Sequence, residues 1–79
     1  MSPDDKIVGT DRRSIRGARE GRLDFLVVLV KDANGKLAAY RGLGGKGEES
    51  WVATHGDKLT FDEARPHFPI GLRREEYRK

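Results

Sequence analysis

His55 and His67 are the only two histidines, and no other side chain in the 79-residue chain changes charge near neutrality without help from its surroundings. Together with Arg65, Arg73 and Tyr77 they form the one set of residue types that could run a reaction without a metal. Imidazole or phenol would transfer protons and guanidinium would stabilise developing charge, as metal-free RNA cleavage requires. Other chemistries lack parts. A metal site needs three or four converging ligands, and the chain has no cysteine and no histidine pair at HxH or HxxxH spacing. A serine nucleophile would have to be Ser2, Ser14 or Ser50, none of which sits in a glycine elbow. The stretch GLGGKGEE is not a phosphate-binding loop, because Gly45-Lys46 is followed by glycine and glutamates where Ser or Thr and a helix are needed. It reads as a glycine-rich connection that offers Lys46 to a partner. The expectation is a protein without catalytic activity and without a cofactor.

The fragments THGDKLTFDEARPHF and RREEY are similar to pieces of small bacterial ribonuclease toxins of the BrnT family. That family carries its lysine/histidine and FEEA-like segment before its strands, and here the order is reversed. The resemblance implies RNA cleavage only as the most distant of three functional readings, and the chain is not assigned to the family.

Charge layout narrows the partners more than net charge does. Residues 1–22 hold six basic and four acidic groups, residues 23–64 five and seven, and residues 65–79 five and two. A slightly acidic centre lies between two basic ends, so attraction to phosphate or to an acidic surface belongs to the ends. In the first end Arg12, Arg13, Arg16 and Arg19 cluster, and in the second Arg73 and Arg74. These six are the candidate nucleic-acid contacts, and they would bind phosphate with little sequence discrimination. No apolar run approaches the roughly 20 residues of a membrane span, and the first residues lack a signal peptide's apolar segment. Location in the cytoplasm is the expectation.

The elements that must position these groups are organised around Leu23 to Val30, LDFLVVLV. With a period of two, Leu23, Phe25, Val27 and Leu29 lie on one face and Asp24, Leu26, Val28 and Val30 on the other. A strand apolar on both sides wants neighbours on both edges and cover on both faces. Lys31-Asp32-Ala33-Asn34-Gly35-Lys36 then turns the chain. A two-residue type I′ turn at Asn34-Gly35 and a type I turn from Asp32 closed by a glycine bulge differ by one residue of register, which decides whether Tyr40 sits opposite Val28 or Leu29. The bulged turn gives Asp32 a side-chain role and is preferred. Strands are expected over 23–31, 36–42 and 50–55, the last with Trp51 packed in the core. Thr60-Phe61-Asp62-Glu63 is a capping box that starts a helix, with Phe61, Ala64 and Phe68 toward the sheet and Pro66 interrupting it early. The tail is expected to add a helical turn or two, with Glu75 and Lys79 spaced to pair.

The sequence thus predicts an α+β fold. A three-stranded antiparallel sheet (βββα) and a C-terminal helix form one small domain over 23–79, preceded by a basic N-terminal arm or nascent helix over 1–22. The βββα order is similar to that of integrase arm-binding and AP2 domains, but Arg41 and Lys31 amid Val, Leu and Ala make a poor base-reading sheet. A longer αβββα reading is similar to a double-stranded RNA-binding domain, where Asp62 and Glu63 replace the expected basic residues. One short helix can cover only one sheet face. Leu26, Val28 and Val30 are therefore the expected partner-binding row, with Lys46 of the glycine-rich loop as a further contact; the row is buried by another protein or a second copy of the chain, or else by a folded-back N-terminus through Ile7, Val8 and Ile15. The functional expectation is a small binding module, an accessory or inhibitory factor of bacterial or phage type. Nucleic-acid binding is the alternative, and nothing points to a membrane or a small-molecule substrate.

Overall fold

The computed structural model describes residues 2–14, 24–44 and 47–78. It is an α+β fold in which strands β1 (Lys6–Ser14), β2 (Asp24–Lys31), β3 (Leu37–Gly44) and β4 (Asp57–Lys58) make one antiparallel sheet in the order β1-β2-β3-β4. Helix α1 (Glu49–His55) covers one face. The other face is covered by helix α2 (Phe61–Ala64), by 3-10 turns at Arg65–His67 and Arg74–Glu76, and by the chain around them.

The apolar strand lies where its two-sided character places it, as β2 between β1 and β3. The turn that follows is the bulged one. Gly35 N–H donates to Asp32 O at 3.0 Å, Asp32 N–H donates to Lys36 O at 2.9 Å, and Gly35 sits at φ 80°, the left-handed region open to glycine. Asp32 accepts from the amides of Asn34 and Lys36, both at 2.9 Å. Val28 consequently faces Tyr40.

Two elements differ from the sequence expectation. Residues 6–14, expected as a loose arm running into a nascent helix, form a strand paired with β2 from Lys6↔Lys31 to Ser14↔Asp24. β2 needs a hydrogen-bonding neighbour on each edge, and an edge strand can meet that need with few apolar side chains because one of its own edges faces water. Val8 is the extra residue of a bulge between Ile7↔Val30 and Gly9↔Leu29. The rest of the expected helix, over 15–21, lies outside the described residues. The sheet accordingly has four strands and not three.

The second difference is the segment 50–55, which is α1 and not a strand. Its alternation is real, but Val52 and Ala53, neighbours in sequence, both face the sheet, which only a helix allows. Val52 lies over Gly42, where an added Cβ would come within 3.3 Å of its methyl group, so the helix can approach β3 closely. Gly56 ends α1 under tighter limits. A Cβ there would lie 2.5 Å from Val52 O and 2.7 Å from Arg41 O.

The capping box forms as the sequence predicts. Glu63 N–H donates to Thr60 Oγ1 at 3.2 Å and Thr60 N–H donates to Glu63 Oε1 at 2.9 Å. With Pro66 next, α2 lasts four residues and tightens into the turn at Arg65–His67. Phe61, Ala64 and Phe68 pack toward the sheet. No full C-terminal helix follows. The tail makes one 3-10 turn and then runs beside β3, with Tyr77 in a parallel bridge to Leu37 and Arg78 N–H donating to Leu37 O at 2.7 Å. Lys79, the expected partner of Glu75, lies outside the described residues. Among the described residues no helix is long and apolar enough to cross a membrane.

Candidate functional site

The row Leu26, Val28 and Val30 is covered within the chain. The three are 0%, 0% and 3% exposed and pack against Val52 and Ala53 of α1, with Ile7 and Tyr40 at the margins. The expectation that this row faces a partner is corrected by the helical fold of 49–55, which supplies a second cover that a βββα chain lacks. Lys46 lies outside the described residues.

That same helix brings out a surface feature the sequence reading missed. Turning Val52 and Ala53 inward turns Trp51 outward, so the only tryptophan is 53% exposed and not in the core. It lies on His55, one helical turn on, with ring centroids 5.0 Å apart and planes inclined by 29°. A period of 3.6 applied to 49–55 would have placed Trp51 and His55 on one stripe. In the first turn of α1, Arg12 of β1 donates from Nη2 to Glu49 Oε2 at 2.6 Å and ties the edge strand to the helix. Thr54 Oγ1 donates to Ser50 O within the same helix.

The opposite face carries a second, smaller group. Arg13, Phe25 and Leu43 are cross-strand neighbours at one end of the sheet, and Leu43 is 52% exposed. In the adjoining row Asp11 and Arg41 flank Val27. His67 reaches over this end, with Nδ1 2.6 Å from Asp11 Oδ2 and its ring 6.2 Å from that of Phe25. The pair joins the turn at Arg65–His67 to β1, a contact spanning 56 residues.

The groups that could cleave RNA do not converge. His55 is on the α1 side of the sheet and His67 on the other, as their contacts with Trp51 and with Asp11 and Phe25 show. Tyr77 serves the fold. Its hydroxyl donates to Leu59 O and accepts from Ala39 N–H at 2.9 Å, and burial raises its pKa above the usual tyrosine value. Glu63 moves the other way: the bonds it receives from the Thr60 backbone and side chain hold its carboxyl below the ordinary range. Among the described residues no group of three or more His, Asp or Glu could hold a metal ion.

Of the expected nucleic-acid contacts, Arg16 and Arg19 lie outside the described residues. Arg12 faces Glu49, Arg13 Nε lies 3.6 Å from Asp11, and Arg74 Nη2 donates to Asp62 at 3.0 Å. Arg73 is exposed just before the turn at Arg74–Glu76. The described four are not gathered on one face, since Arg12 meets α1 whereas Arg74 stands over Phe61 on the other side.

No family model matches the chain, no curated protein matches it, and no solved structure matches its fold.

Proposed function

We infer that the chain is a binding module that acts by docking another protein, without catalysis of its own, over the outer face of α1. The observation that carries this reading is the half-exposed Trp51 stacked on His55. Tryptophan is the residue most enriched among those that dominate protein interfaces, and a large indole left in water gains on burial. Its stacking on His55 restricts the side chain before a partner arrives, so less entropy is lost on docking. A second copy of the chain is one form such a partner could take.

Nucleic acid is less well supported. Arg12, Arg13 and Arg74 each face a carboxylate, which offsets the field phosphate would feel. The sheet end offers one phenylalanine where a single-stranded nucleic acid would need a platform for successive bases.

The test is capture from the native cell with the parent chain and with Trp51→Ala, each with and without nuclease, beside sedimentation of both. The partner, or self-association, should be retained by the parent after nuclease and lost by Trp51→Ala, which keeps the parent's unfolding transition because Trp51 is not core. Equal capture by both proteins would overturn the docking surface, and capture abolished by nuclease would replace the protein with nucleic acid.

A further inference from the structure

On the face away from α1, β4, the capping-box turn and the returning tail enclose a cleft of about 530 Å³. That lies within the usual range of small-molecule sites, ≈ 300–1,000 Å³. Its floor is Leu59, Phe61 and Tyr77. Leu59 and Tyr77 are buried, and Phe61 meets Tyr77 edge-on with centroids 5.8 Å apart. Its rim is Lys58, Arg74 and Arg78. The Lys58 ammonium stands 5.5 Å from the centre of the Tyr77 ring and the Arg74 guanidinium 4.5 Å from that of Phe61.

The hold on these cations is loose. Arg74 pairs with Asp62 at 3.0 Å, but the two side chains are 66% and 79% exposed, and exposed pairs contribute little. Arg78 Nε lies 3.8 Å from Asp32, beyond hydrogen-bond reach. Lys58 donates to Arg78 O at 2.9 Å, which occupies one of the ammonium's three donors. An anion entering the cleft could therefore replace weak partners of the cations without breaking strong ones.

We propose that this cleft, ringed by Lys58, Arg74 and Arg78 over Phe61 and Tyr77, is a binding site for a small aromatic molecule bearing a phosphate. The ring would pack on the edge-to-face pair of the floor, and the phosphate oxygens would accept from the rim cations, with the arginines able to bind them in bidentate fashion. The site is separate from the Trp51 surface and does not depend on the docking reading.

The experiment is a titration of the full chain, followed by backbone amide chemical shifts, with phenyl phosphate, inorganic phosphate and phenol in turn. Phenyl phosphate should shift the amides of Leu59 to Phe61 and of Tyr77 and Arg78 saturably. Inorganic phosphate and phenol should each bind at least about tenfold more weakly, since each lacks one of the two contacts. Arg74→Ala, an exposed change whose fold the same spectra check, should weaken phenyl phosphate by roughly tenfold. Should that variant lose its fold, Arg74→Gln removes the charge and keeps most of the side chain, and the same loss is expected. Phenyl phosphate that binds no better than inorganic phosphate, or equally well to a folded Arg74 variant, would overturn the site.

Discussion

Tyr77 and Trp51 are both large aromatic side chains with one polar handle, and the chain uses them in opposite ways. Tyr77 is 7% exposed and its hydroxyl satisfies Leu59 O and Ala39 N–H, so Tyr77→Phe leaves two buried backbone groups without their partner. The expected loss is about 1–3 kcal/mol, read from denaturant unfolding. Because the folded state holds the phenol above its ordinary value of 10.0, it binds the proton more tightly than the unfolded chain does. That contribution is complete below pH 10.0 and is lost as pH rises through the folded pKa. The alkaline decline should be shallower in Tyr77→Phe, with the midpoint followed from neutral pH to above 10.0. Glu63 gives the mirror image. Its folded carboxyl is held below 4.5, so its contribution is complete above that pH and is lost as pH falls through the lower folded value. Glu63→Gln keeps an oxygen for the Thr60 amide and should flatten the acid limb of stability; equal acid limbs in parent and variant would show that the charge is not what the capping box uses.

At the scale of elements, what was legible in the sequence was what short-range chemistry decides. The β2–β3 hairpin follows from Asp32 and Gly35, and the start of α2 from Thr60 and Glu63, each read within four residues of chain. α1 and β1 were illegible for the opposite reason. Ser50-Trp51-Val52-Ala53-Thr54-His55 has β-favouring residues and real alternation, yet it packs as a helix because Gly42 opens a place for Val52, a contact set by tertiary structure. Lys6–Ser14 looks like a loop because an edge strand under polar side chains carries almost no period-two signal. The candidate surface moved with α1, since the helix that buries Leu26, Val28 and Val30 is the one that exposes Trp51. A paired experiment follows. Val28→Lys places an unpaired charge under α1 and should unfold the monomer, whereas Trp51→Ala should change the thermal midpoint little. A folded Val28→Lys chain that merely loses self-association would mean that α1 does not seal this face.

Across the whole molecule, the two faces of the sheet are sealed by different means, and the tail-side seal also completes the sheet's edge. β4 is two residues long, far shorter than the eight of β3. At the Leu37 end of that edge the C-terminal chain substitutes for a strand: Arg78 N–H donates to Leu37 O, and Ala39 N–H donates to the Tyr77 hydroxyl. Lys36 Nζ donates to Glu75 O and so fastens the tail to the end of the hairpin turn. Ending the chain after Gly71 removes these bonds together with Leu72 and Tyr77, two members of the tail-side core. Burying two such side chains is worth of order 1.5–3 kcal/mol each, and a small domain's net stability is only about 5–15 kcal/mol, so their loss and the unsatisfied edge together approach the whole margin. The shortened chain should lose cooperative unfolding and near-ultraviolet dichroism while keeping some secondary structure. The full-length Tyr77→Ala chain tests the same seal with one residue and should remain folded but with a lowered midpoint. A shortened chain that still unfolds in a sharp transition would show that the fold through Gly71 is stable without the tail and that the tail serves chiefly to wall the cleft above Phe61.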